Sequence, residues 1–224
     1  MSDFFPAMLP VRQRFESSPV VDFSAAVTEG FAAIRPRLKP GMSIAVGVGS
    51  RGISNLAEIV SLVIRELKNA GTQSFIIPAM GSHGGATPEG QLALLAGYGV
   101  TEETMGVPLR ASMEVESLGR SAAGCEVLWS REAAAADGVL VINRVKPHTD
   151  FKGVMGSGLT KMLVVGLGKH AGASVYHAEA LKLGYEPSLS DLAGVIFDKA
   201  SILGGVALVE DAMHETVGLE VVPA

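Results

Sequence analysis

Apolar residues fall into short unbroken runs, set apart by polar or glycine-rich loops and by stretches with helical spacing. Residues 43–48, 74–79 and 138–142 are such runs. Continuous apolar runs of this length, bounded by turn residues, predict strands buried on both faces. After the first comes the tight loop Gly49-Ser-Arg-Gly52, then a helical period through Ile59, Leu62, Val63 and Leu67 to Ala70. Asn55 is the expected N-cap of that helix, with Glu58 three residues on as in a capping box, and Gly71 the expected C-cap. The second run leads into Met80-Gly-Ser-His-Gly-Gly-Ala86, and Thr87-Pro88 then starts a helix running to about Tyr98. Strand, glycine-rich loop and helix thus repeat in order. The pattern predicts an α/β fold, Rossmann-like, with a mostly parallel sheet and helices on both faces.

Elsewhere the pattern is less regular. Residues 23–38 have helical spacing at Val27, Phe31 and Ile34. Residues 112–118 and 124–128 read as short β segments, a hairpin at the sheet edge, and Ser130 as the cap of a short alanine-rich helix through Asp137. Two further helices are expected over 172–183 and 188–200, the second capped by Ser188, and two strands around 208–210 and 219–222. No repeat or interdomain linker is visible, so residues 1–224 read as one domain. The chain ends directly after a strand-like segment, which fits either a natural end or a cut through a longer chain.

Composition narrows the function classes. Of the 224 residues, 48% are hydrophobic and 18% charged, a globular balance. A net charge of −5 argues against a general nucleic-acid binder. No apolar run reaches the roughly 18 residues of a membrane span, and the first residues do not form a signal peptide. One cysteine, Cys125, allows neither an internal disulfide nor a thiolate zinc site. Cys125 reads as a small buried apolar residue, and the expected location is cytoplasmic.

The chemistry gathers in the loops that follow the apolar runs. The densest stretch is 143–161, which carries one His, one Asp, cations and glycines between two apolar runs. In open α/β sheets, ligands bind just beyond the carboxyl ends of the strands. His83, in Gly-Ser-His-Gly-Gly, is presented without steric cover. His148 follows a proline, with Asp150 close enough to help orient its ring. Two imidazoles facing one cavity from separate loops suit two-sided proton transfer, because each titrates near neutrality. Arg51 is a candidate clamp for a carboxylate or phosphate, the alternative being an ordinary surface turn. Gly156-Ser157-Gly158 does not match a Walker loop, but at a helix start it would offer amides to an anion. Lys161, one turn further, would neutralise a phosphate or act as a nucleophile. His170 and His177 would share a face on one helix, though Gly172 counts against a single helix. His214 reads as ordinary surface.

In this order, the four spots resemble the nickel-pincer-dependent lactate racemase family, specifically its N-terminal cofactor-binding domain. Gly49-Ser-Arg51 is similar to the motif whose Arg binds the substrate carboxylate. Gly81-Ser-His83 is similar to the motif ending in a catalytic His. Residues 148–161 are similar to the segment that starts with the second catalytic His and ends in the Lys tethering the cofactor. His177 then falls where the family has its nickel-ligating His, with His170 as the competitor. The resemblance implies a nickel-pincer nucleotide, a pyridinium-3,5-bisthiocarboxylic acid mononucleotide carrying nickel, held covalently on Lys161. His83 and His148 would be catalytic, Arg51 would bind a 2-hydroxy acid, and the enzyme would be a racemase or epimerase. The family has two domains, so a C-terminal domain would be needed to close the site. Three departures line the substrate side: Val48 replaces an Asp, Gly84 and Gly85 replace a basic residue and a proline, and the loop from His148 to Lys161 is longer. They point to a hydroxy acid other than lactate. Two alternatives are a non-catalytic anion- or nucleotide-binding module and a Schiff-base enzyme using Lys161.

Overall fold

The structure is a computed structural model and describes residues 8–16, 18–19, 21–148 and 153–224. Among the described residues, seven strands form two sheets. β1 (Ser43–Val48), β2 (Gln73–Pro78), β5 (Gly138–Arg144), β6 (Ile202–Glu210) and β7 (Thr216–Pro223) make a five-stranded sheet in the order β2-β1-β5-β6-β7. The first four strands are parallel, and β7 pairs antiparallel with β6. β3 (Val115–Arg120) and β4 (Glu126–Ser130) form a separate antiparallel pair. The expected hairpin therefore exists but extends no edge of the main sheet. It packs instead on the helices α7 (Lys169–Leu183) and α8 (Tyr185–Lys199).

The apolar runs are continuous because both faces of the sheet are covered. Ile44, Val46 and Val48 of β1, Ile76 of β2 and Leu140 and Ile142 of β5 point into one core. That core also takes α1 (Phe23–Gly30), α2 (Leu56–Asn69), and Leu95 of α3 (Pro88–Gly97). Ala45, Phe75, Ile77, Val139 and Val141 alternate onto the other face, against Trp129, Tyr176, Leu189 and Ile196. With helices on both faces of a mostly parallel sheet, the expected α/β architecture is the one observed. Among the described residues, no helix is long and apolar enough to cross a membrane.

Local signals fared unevenly. Thr87 accepts from the Gly90 amide at 3.1 Å and Pro88 takes the first position of α3, as expected. Ser130 likewise caps the short α5 (Arg131–Ala134), which is shorter than predicted. Asn55, however, stands in the left-handed region (φ 60) and makes no side-chain cap, so the capping box does not form. Ser188 lies inside α8 rather than before it; the turn that starts this helix is Gly184, with φ +91. Gly172 does not interrupt α7. It lets the helix approach β4, because a Cβ there would lie 2.8 Å from the Leu128 carbonyl oxygen. Replacing it with alanine adds about 1 kcal/mol of helix propensity but forces a backbone contact costing about 1–3 kcal/mol. Gly172→Ala is therefore expected to lower stability by about 1 kcal/mol on balance, read as a lower urea midpoint; an unchanged or raised midpoint would contradict this packing.

Candidate active site

Parallel pairing sets β2, β1 and β5 side by side, with their carboxyl ends level. β1 connects through α2 to β2 on one side, while β5 joins β1 on the other. The strand order therefore reverses between β1 and β5, the position where open α/β sheets bind ligands. A cavity of about 370 Å³ lies there, within the usual range of about 300–1,000 Å³ for small-molecule sites. Arg51 enters from the β1 loop, His83 from the β2 loop, and His148 and Lys161 from the segment after β5. His177 enters from α7. All five side chains line the same cavity.

The segment after β5 turns back on itself. Lys146 and Ser157 exchange backbone hydrogen bonds of 3.0 Å in each direction. This corrects one expectation: the Ser157 amide donates to the Lys146 carbonyl and is not offered to an anion. Ser157 still lines the cavity, whereas Gly156 and Gly158 serve the path of the chain. A Cβ on Gly156 would sit 2.7 Å from the His148 amide nitrogen, and one on Gly158 would contact Val145. The helix after Gly158 is a single turn, α6 (Leu159–Lys161), which continues as a π turn over Met162–Gly166. Asp150 lies outside the described residues.

Lys161 and His148 are in direct contact, Nζ to Nε2 at 3.0 Å. A protonated amine can only donate, so His148 accepts through Nε2 in that state. The His148 ring stacks on Tyr185, with centroids 5.9 Å apart and planes 25° apart. His83 and His177 both have their pKa lowered, first by desolvation. The Arg51 and Lys161 cations lower it further at His83, and Lys161 does so at His177. Both rings are thereby biased towards the neutral form, a state suited to accepting a proton or binding a metal.

The pair His170 and His177 is separated by orientation. Both ride on α7, but His177 faces the cavity beside Tyr176, with ring centroids 5.1 Å apart, whereas His170 is exposed and does not line the cavity. Among the described residues, no group of three or more His, Cys, Asp or Glu side chains is arranged to hold a metal ion.

Several residues that shape the site carried no sequence signal. Glu210, whose side chain is 3% exposed, pairs with Arg144 on the cavity wall and accepts from the Ser54 amide at 2.9 Å. It thus fastens the Arg51 loop. His214 is exposed, as expected, but its carbonyl accepts from the Ser54 hydroxyl. Glu186 accepts from the amides of Val154 and Met155 at 3.0 and 3.1 Å, holding the loop that follows His148. Lys169 is 1% exposed, and its Nζ donates to the Pro78 carbonyl at 2.7 Å. It joins the start of α7 to the end of β2. Spacing alone cannot reveal such contacts, which link elements far apart in the chain.

Burial lowers the Lys169 pKa from 10.5 to about 8. Between those values the unfolded chain binds more protons than the folded one, so stability rises with pH. The cost of burying the charge is fully present below about pH 8 and relieved as pH approaches 10.5. Relative to Lys169→Met, the wild-type protein should gain up to about 3 kcal/mol across that window. Denaturant titrations of both proteins at several pH values check this, and parallel curves would refute it. In the protein without ligand, Lys161→Met should raise the pKa of His83 and of His177 in an NMR titration. Unmoved values would mean that the ammonium does not act on these rings.

Comparison with known proteins agrees with this fold. Residues 33–185 match the family model described as the lactate racemase N-terminal domain. The fold is similar to that of the lactate racemase apoprotein from Thermoanaerobacterium thermosaccharolyticum, with a TM-score of 0.66 and 16% sequence identity. That match covers 90% of this chain and 52% of the other, so the chain spans about half the length of that structure. No curated protein sequence matches the chain. A family match over more than half of the residues, all within the unit that builds the cavity, identifies the chain as a member of the lactate racemase N-terminal domain family.

Proposed function

We propose that this chain is the cofactor-binding domain of a racemase or epimerase acting on a 2-hydroxy acid, with a nickel-pincer nucleotide held covalently on Lys161. The observation that carries the reading is the convergence of Arg51, His83, His148, Lys161 and His177 on one cavity. The donor set suits that group. The chain offers one imidazole from α7 and one amine from α6, and a pincer ligand brings the other three donors of a square-planar nickel site. When bound, the group supplies a hydride acceptor beside the substrate carbon.

The chain's own residues would do the rest. Arg51, on the central of three adjacent strand ends, clamps the substrate carboxylate. His83 and His148 come from the strands on either side of it, so they reach a substrate held by Arg51 from two directions. One would take the hydroxyl proton and the other would return a proton to the same oxygen from the opposite side. Inversion at carbon would come from return of the hydride to the other face, the chemistry the bound group would supply. His177 would bind nickel through its imidazole, and its lowered pKa favours the neutral ring that such binding needs. Val48 is fully buried in the core and, like Gly84 and Gly85, does not line the cavity, so these departures do not bear directly on the choice of substrate. Arg51, Lys146 and His177 remain exposed, consistent with a second domain covering the cavity in a longer protein. A cytoplasmic location belongs to the same reading.

Protein made in a host that supplies the cofactor pathway should carry nickel and a covalent mass increment. Lys161→Ala should lose the increment, and His177→Ala should lose most of the nickel while keeping it. A bare-chain mass without nickel would favour a non-catalytic anion-binding module instead.

A further inference from the structure

His83 stands on a loop that is held from two sides. Its amide donates to the Met80 carbonyl at 3.0 Å. The Gln91 side chain, fully buried in α3, donates to the Gly81 carbonyl at 2.9 Å and to the His83 carbonyl at 3.3 Å. These bonds fix the backbone but leave the ring free to turn. The ring has one side-chain hydrogen-bond contact among the described residues, between Nδ1 and the Ser50 hydroxyl. Ser50 immediately precedes Arg51, and its carbonyl accepts from the Tyr98 phenol at 2.6 Å. Tyr98 lies at the end of α3, so the helix that follows His83 also braces the serine that faces it. With Nδ1 engaged, Nε2 is the ring nitrogen left for the cavity.

We infer that Ser50 is a positioning residue for His83, holding the tautomer in which Nδ1–H donates to the serine oxygen and Nε2 keeps its lone pair towards the cavity. The charge arrangement favours this direction. The groups acting on the ring from the cavity side are the cations Arg51 and Lys161, which attract a lone pair and repel an N–H. Which nitrogen of a histidine carries the proton is set by the bond the other makes. A hydroxyl also suits a ring that must change state. Once Nε2 has taken a proton, Nδ1–H still donates to Ser50, so the contact survives both forms. A carboxylate in the same place would favour the imidazolium and hinder its return to neutrality. This assignment rests on the proposed acid–base role of His83 for its use, but its geometry can be tested without nickel, cofactor or substrate.

The test is a long-range proton–nitrogen NMR spectrum of the 15N-labelled chain at neutral to mildly basic pH. The His83 signals are assigned by their loss in His83→Gln. The wild-type ring should show a protonated-type Nδ1 and an unprotonated-type Nε2. Ser50→Ala should move both shifts towards each other as the Nε2–H tautomer gains population, and Ser50→Thr should restore the wild-type pattern. A wild-type ring protonated on Nε2 overturns the inference even if Ser50→Ala does not fold. So does a folded Ser50→Ala protein with unchanged shifts. The covalent mass on Lys161 is measured in parallel on cofactor-loaded protein. The increment with the wrong tautomer removes only the role of Ser50, and the expected tautomer without an increment removes only the racemase reading.

Discussion

Parallel pairing of three strands is the constraint on which the site depends. Neighbouring strands lie about 4.8 Å apart, so the ends of β2, β1 and β5 span about 10 Å. Loops leaving three such ends cannot avoid sharing a space. The register makes this definite: Val48 stands level with Pro78 on one side and with Ile142 on the other. Arg51, His83 and the segment with His148 therefore begin from one line. The two-sided core that keeps the strands parallel is thus also what places a cation between two imidazoles.

Strand ends alone do not fix side chains, and each loop has its own fastening. The β1 loop is tied through Ser54 to Glu210, the β2 loop through Gln91, and the segment after β5 through Glu186 and the Lys146–Ser157 pairing. The π turn after Lys161 is held by the Trp129 indole, which donates to the Leu163 carbonyl at 2.9 Å. Most of these fasteners are polar groups that satisfy backbone amides or carbonyls of irregular chain. Buried backbone polar groups need partners. The same bonds that meet this need keep the loops in shape around the cavity.

The sheet and the positions of the five converging residues were legible in the sequence for a physical reason. Strands buried on both faces are continuous apolar runs, and the residues that matter follow them directly. His177 needed more: its spacing from Lys161 identified it through a family resemblance, and only the course of α7 separated it from His170. The capping errors have a common origin. Asn55 and Ser188 have the right chemistry for caps, but tertiary packing put one in a left-handed turn and the other inside a helix. The free amide expected at Ser157 failed because a chain that folds back pairs with itself. Lys169, Glu186 and Glu210 were invisible because nothing local marks a charged side chain whose partner lies tens of residues away.

The bond between the Ser54 amide and Glu210 joins residues 156 positions apart. Glu210 turns inward where the pairing of β6 with β7 slips register between Val209 and Glu210. The Arg51 loop is early in the chain, yet its fastening comes from a bulge near the last strands. Contacts of such long sequence separation form only after a large loop has closed. During synthesis the first strand and its helix can assemble well before that bulge exists. The Arg51 corner of the cavity is therefore among the last parts of the site to take shape.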